Sequence, residues 1–232
     1  MITFTGDEKR LENYHTTKKE LSDLVMFDAI NAVEHYDRYK KQALEENICT
    51  EAYITELETK KNAARGKYGK LGCNMSHMLL LREIVKQYQE EDLWFLILED
   101  DIMVREGFCD FIRNLIEDLN GVDTDYVRLY SDPRVASRQF SEKLKIKHNI
   151  YRMVKQWYTL AQLISVKGAK KILSKLPMST PGYDFFVSTH SNYLNATTVK
   201  TGLIENLGAK HSSDEKSKLG SLIWFGRDNK TI

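Results

Sequence analysis

The sequence predicts an α/β domain of three layers, with a central sheet between helices. Short apolar runs alternate with segments of helical spacing, and the second half is richer in helix. The most apolar run, Leu93-Trp94-Phe95-Leu96-Ile97-Leu98, stops abruptly on Glu99, Asp100 and Asp101. Such a run is short and partly aromatic and reads as a strand buried on both faces. In open α/β sheets ligands sit beyond the carboxyl ends of the strands, so these acids lie where a substrate would bind.

Taken in order, residues 2–5 read as a first strand. Gly6 and Asp7 turn the chain, and a polar helix is expected from residue 8 to about 21. The Thr5-Gly6-Asp7 turn is either a nucleotide-contact loop or an ordinary strand-to-helix turn. Val25-Met26-Phe27-Asp28-Ala29-Ile30 reads as a second strand and its exit. Residues 33–66 are rich in Lys, Glu, Tyr and Asn and read as a mostly helical surface insertion ending near Gly66. Its cations Lys60, Lys61, Arg65, Lys67 and Lys70 form a solvated face or reach towards an anionic donor.

A helix is expected to start near Asn74 or Ser76, either of which can cap it. Met78, Leu81, Ile84, Val85 and Tyr88 form its apolar stripe. A glycine-flanked helix start at Ser76 and His77 would present free N–H groups to phosphate. The alternative for His77 is a satisfied core histidine. After the acids, Phe108, Phe111, Ile112, Leu115, Ile116 and Leu119 mark an amphipathic helix that Asn120-Gly121 ends. Residues 126–130 alternate like a strand, Ser131-Asp132-Pro133 breaks it, and 134–149 read as a mobile polar loop.

Residues 150–154 and 157–165 read as two further strands. Ser165 caps a helix over 167–176. Pro181-Gly182-Tyr183-Asp184 opens another, with Phe185, Phe186 and Val187 in its first turns. The tail from Leu203 carries His211 and Asp214. The simplest division is one domain over 1–232, with a nucleotide-binding half to about 130 and an acceptor-binding half after it.

Composition narrows the function. A net charge of +1 argues against a general nucleic-acid binder. Cys49, Cys73 and Cys109 lack metal-site spacing, and reduced thiols in a cytoplasmic setting are expected. No apolar run approaches the ~20 residues of a membrane span, and the first residues carry no signal-peptide core. Three adjacent acids at a strand end repel one another, and burial would raise their pKa values unless a cation compensates. Hard divalent metals suit such oxygen clusters. The alternative is a solvated acidic turn.

Gly72-Cys73-x-x-Ser76-His77, then a helix, then Phe95-Leu96-Ile97-Leu98-Glu99-Asp100-Asp101-Ile102, resembles glycosyltransferase family 25. Phe27-Asp28-Ala29-Ile30 upstream fits the same pattern. So do Tyr158-Thr159-Leu160-Ala161-Gln162-Leu163-Ile164-Ser165, the following Lys167-Gly168-Ala169, Pro177 and Asp184 downstream. These pieces keep the family's order over about residues 25–185. The first strand departs from it: Phe4-Thr5-Gly6-Asp7 stands where an Asn-Leu-Asp-Arg-like sequence is usual, with Arg10 a stand-in for the arginine. Lys70 stands where an acid is common, and the 33–66 insertion is atypical.

The resemblance implies a GT-A-type three-layer α/β domain with a mixed central sheet and helices on both faces. It further implies a UDP-sugar donor, a glycan or glycoconjugate acceptor, and Mn²⁺ or Mg²⁺ held by the acidic motif. Asp101 is then the direct metal ligand and Glu99 a second, through water or at the ribose, with Asp100 in either role. His211 completes the metal shell from the tail or is a surface histidine. Thr5, Gly6, Arg10, Ser76 and His77 contact the donor. Asp184 is the general base of an inverting transfer or a helix N-cap. Two other classes compete: a metal-dependent nucleotidyltransferase or phosphohydrolase, and a non-catalytic nucleotide-sugar-binding module.

Overall fold

The computed structural model describes residues 1–3, 5–59, 63–179 and 182–207, with 63–67 described by their backbone alone. Phe4, Lys60, Lys61, Pro181, His211 and Asp214, and the side chains of Arg65 and Lys67, lie outside the described residues. In chain order the elements begin with β1 (Ile2–Thr3), α1 (Glu8–Glu20), β2 (Phe27–Asp28), α2 (Tyr36–Glu45), α3 (Glu51–Thr59) and α4 (Ala63–Gln87). Next come β3 (Trp94–Leu98), β4 (Ile102–Val104), α5 (Phe108–Asp118), β5 (Tyr126–Arg128) and α6 (Ala136–Gln139). Then follow β6 (Lys145–Lys147), β7 (Ile150–Arg152), β8 (Ala161–Ser165), α7 (Val166–Leu173), α8 (Tyr183–Thr189), β9 (Thr197–Val199) and β10 (Ile204–Asn206). None of the helices is long and apolar enough to cross a membrane among the described residues.

Six strands form a mixed sheet in the order β3-β8-β5-β9-β7-β6. β8 runs antiparallel to both β3 and β5, while β5 and β9 run parallel. β1 pairs in parallel with β2 and bridges to Glu99 just past the end of β3. The strand period of two puts neighbours on opposite faces. Ile97, Tyr126 and Ile164 join a core built with α2, α3, α4, α7 and α8, while Leu98, Val127 and Leu163 join a second core built with α1, β4 and α5. Two cores on either side of one sheet are the three layers the sequence predicts.

Several caps follow the sequence closely. Asp7 accepts from the N–H groups of Lys9 and Arg10, starting α1, and Ser165 accepts from Gly168, starting α7. Gly121 ends α5 with φ of 77°.

Four expectations change. The second half is not the one richer in helix: among the described residues the long helices α1 to α5 all lie before residue 119, and β5 to β10 fill the rest with only short helices between them. α4 begins at Ala63 rather than near Ser76, so its glycines do not break it. Gly72 packs there on the exit of β2: a Cβ would stand 2.7 Å from the Ile30 carbonyl. Residues 157–160 are not strand, although Trp, Tyr and Thr favour it, because Tyr158 takes φ of 70°. The segment 134–149 is not a bare loop. It carries α6, two short 3₁₀ turns and β6, because the Asp132 side chain caps a turn at Arg134 and Gln139 ties the segment to Arg152 and Val154.

Candidate active site

The ends of β1 and β3 meet where Ile2 pairs with Glu99. An open cleft of about 500 Å³ lies there, with Arg10, Asn31, Gly72, Ser76, His77 and Glu99 on its wall. The three acids that follow β3 have different partners, and these partners separate their roles.

Glu99 is buried and tightly held. Its Oε1 accepts from the Thr159 hydroxyl at 2.8 Å and lies 3.1 Å from His77 Nε2. His77 Nδ1 lies 3.4 Å from Gln162 Nε2, whose own Oε1 accepts from the Tyr183 hydroxyl at 3.4 Å. This chain assigns the His77 proton to Nε2, pointing at Glu99. The Tyr183 ring stacks on the imidazole at 3.9 Å and 13°. His77 is therefore the core histidine of the alternative reading, and it also orients a cleft carboxylate.

Asp100 is neutralised by a buried ion pair with Arg10. Asn13 donates to the Asp100 and Ile102 carbonyls at 2.7 and 2.5 Å, which docks α1 against the acidic turn. Asp101 has no such ion pair among the described residues. Its Oδ1 is buried there without a hydrogen-bond partner. Burial, then Glu99 and Asp100, push its carboxyl up to about 8, against the opposing pull of Arg10. A buried carboxylate oxygen lacking a partner is costly, and a hard cation is the group that relieves it. The donor set of Asp101 and Glu99 thus fits a divalent metal.

A second grouping, Cys73, His77 and Glu99, brings its ligand atoms within 4.8 Å of one another. Burial keeps the Cys73 thiol protonated, and Glu99, Asp184 and Asp101 reinforce this. Both ring nitrogens of His77 already face partners, Glu99 and Gln162, so the Asp101 oxygen is the better place for a cation.

The other sequence candidates divide. Ser76 lines the cleft, but it sits inside α4, where helix bonding occupies the N–H groups expected to bind phosphate. Its hydroxyl accepts from Ile30 N at 2.9 Å and donates to Gly72 O at 2.8 Å, joining α4 to the exit of β2. Thr5 and Gly6 are exposed, with the Thr5 hydroxyl donating to Asp28 at 2.9 Å. Asp184 lies in the first turn of α8, whose N-cap is Gly182. Its Oδ1 accepts from Phe185 N at 2.7 Å and its Oδ2 from Tyr158 N at 3.2 Å.

The model of glycosyltransferase family 25 (LPS biosynthesis protein) matches residues 1–187. The chain belongs to glycosyltransferase family 25. It is 27% identical over 182 residues to Procollagen galactosyltransferase 1-B of Xenopus laevis, covering 77% of this chain and 28% of that protein. It is 27% identical over 112 residues to Procollagen galactosyltransferase 2 of Mus musculus, covering 47% of this chain and 17% of that protein. It is 30% identical over 151 residues to the Glycosyltransferase 25 family member of Aedes aegypti, covering 61% and 23%. The chain spans less than a third of the length of these relatives.

The family-25 match contains the cleft residues from Arg10 to Glu99, and also Asp101 and Asp184, which lie outside the cleft wall. β9, β10 and the tail with His211 follow it. Leu207, just past β10, donates to the Asp101 carbonyl at 2.8 Å, so the chain leaves β10 beside the acids. Sequence reasoning missed Asn13, Arg128, Thr159, Gln162 and Tyr183. Each acts on a partner distant in the chain, and only Thr159 and Gln162, inside a motif quoted for the resemblance, carried any signal.

Proposed function

We propose that this family-25 protein is a metal-dependent glycosyltransferase that moves a hexose, galactose or glucose, from a UDP-sugar to a glycan hydroxyl with inversion. The observation that carries this reading is the buried Oδ1 of Asp101, which has no hydrogen-bond partner among the described residues, two positions after Glu99 at the strand end. The names of the relatives favour galactose.

Asp101 and Glu99 would hold Mn²⁺ or Mg²⁺, with His211 the proposed third ligand from the tail. Bound there, the ion supplies positive charge to the diphosphate leaving group. The chain's own residues do the rest. Thr159 and His77 fix the Glu99 carboxylate. Arg10 cancels the charge of Asp100, which would otherwise add to the repulsion. Asp184, oriented by two backbone N–H groups, takes the proton of the acceptor hydroxyl.

Incubation with UDP- and GDP-sugars and Mn²⁺ tests the reading. Sugar release from UDP-galactose or UDP-glucose that stops in EDTA is expected. Better competition by GDP or CMP than by UDP would remove the uridine donor. Pyrophosphate release from nucleoside triphosphates would indicate the nucleotidyltransferase class, and binding without turnover a non-catalytic module.

A further inference from the structure

The segment 155–159, entering β8 beside the acids, presents an aromatic ring to solvent on a backbone held from beneath. Arg128, fully buried on β5, donates to the Gln156 and Trp157 carbonyls at 3.0 and 3.1 Å. Ser188 donates to the Gln156 carbonyl at 2.6 Å. Tyr158 N donates to Asp184, and the Thr159 hydroxyl to Glu99. These bonds hold Tyr158 at φ of 70°, a region side-chain-bearing residues rarely adopt. Despite this pinning, Trp157 is left 41% exposed. Its ring stacks on Phe185 at 5.6 Å and 26°, and Lys155 Nζ lies 4.2 Å from the Phe185 centroid.

Strained backbone persists where the surroundings over-determine it, and the strained Tyr158 directly follows a large apolar ring that packing leaves partly exposed. A flat aromatic face matches the apolar C–H face of a pyranose, whose hydroxyls stay at the rim and in solvent. The placement fits an acceptor. Trp157 adjoins the residue bonded to Asp184 and lies two residues from the one bonded to Glu99. Charge narrows the class further. Lys155 has no carboxylate in ion-pair range among the described residues, whereas Arg134 nearby is paired with Asp132. A cation at this rim without a carboxylate partner repels a cationic acceptor and tolerates a neutral or acidic sugar.

We infer that Trp157, backed by Phe185 on the pinned 155–159 segment, is the acceptor platform and takes a pyranose ring of a neutral or acidic glycan. This rests on the glycosyltransferase reading for its role, and the test separates the two. Methyl β-galactopyranoside and methyl β-glucopyranoside are titrated against the full chain by calorimetry, following the heat of binding, with no turnover needed. A saturable change lost in Trp157→Ala and largely kept in Trp157→Phe supports the platform. In transfer assays Trp157→Ala should raise the pyranoside KM roughly ten-fold, the order of an aromatic stacking contact. It should leave kcat and acceptor-free hydrolysis of the UDP-sugar unchanged. Unchanged binding heat and unchanged KM in Trp157→Ala, with donor hydrolysis intact, would overturn the platform alone. Transfer to a non-carbohydrate acceptor but to neither pyranoside would also overturn it. Pyranoside binding at Trp157 without any donor turnover would keep the platform and remove the glycosyltransferase reading.

Discussion

The two ends of the β3/β8 pairing meet at one place and are built in opposite ways. After β3, Glu99 and Asp101 bring carboxyl groups into one turn, and Asp101 keeps a buried oxygen without a partner among the described residues. Before β8, Gln156, Trp157, Tyr158 and Thr159 are each bonded to Arg128, Ser188, Asp184 or Glu99, while an apolar ring is left partly exposed. A buried oxygen without a partner costs free energy until something charged arrives, whereas an exposed ring costs little until something flat arrives. Under the function proposed above, the first would be the donor side and the second the acceptor side, with the Thr159–Glu99 hydrogen bond joining the two.

The largest expected effect comes from removing the charge that lacks a partner. Asp101→Asn should lower transfer by ~10³-fold or more, as loss of a leaving-group stabiliser does. It should also abolish the joint rise in melting temperature from UDP with Mn²⁺. A stability test needs no substrate. In the native chain the Asp101 carboxyl is raised from 3.8 to about 8. Between those values the folded state holds more protons than the unfolded one, so metal-free stability falls as pH rises through that window. Urea midpoints in EDTA at pH 5 and pH 8.5 should show the Asp101→Asn variant gaining on the wild type as pH rises. A difference that is flat with pH would mean the oxygen is compensated in solution and would remove the metal argument.

A smaller effect is expected where the two sides share a residue. Asp184→Asn keeps an oxygen for the Tyr158 or Phe185 N–H but removes the proton acceptor. Transfer should fall by ~10²-fold or more, with UDP and Mn²⁺ binding kept and the melting temperature within a few degrees. If turnover per folded molecule survives and only stability drops, Asp184 is a clamp for the 155–159 segment and belongs to the acceptor side alone.

The donor side was more legible in sequence than the acceptor side, and the reason is locality. An apolar run stopped by three acids declares a strand end, and the caps at Asp7 and Ser165 act within three residues. The start of α4 was misplaced because glycine is read as a breaker, whereas Gly72 serves a close approach to Ile30, some forty positions away. Arg10 was marked for the donor, and its pairing with Asp100 across the chain was invisible. On the acceptor side Trp157-Tyr158-Thr159 has the composition of strand, and only the remote Arg128 and Asp184 turn it into a strained loop. Strain imposed by tertiary contacts leaves no local pattern to read.

The smallest effect is the cleanest test of that strain. At most loop positions Gly is less stable than Ala, by ~0.4–1 kcal/mol, because it frees the unfolded chain. At a left-handed residue the order reverses, since a Cβ there costs roughly 1–2 kcal/mol. Tyr158→Gly and Tyr158→Ala both remove the ring, with its edge contact to Tyr130 at 6.2 Å and its cation contact with Arg134 at 5.7 Å. The pair therefore differs in backbone preference alone. Urea unfolding should place Tyr158→Gly above Tyr158→Ala by about 1 kcal/mol, against the usual order. If Ala is the more stable, φ at 158 is not positive in solution. The segment would then be an ordinary extended lead-in to β8, and the contrast between a saturated, strained acceptor side and a charged donor side would lose its first half.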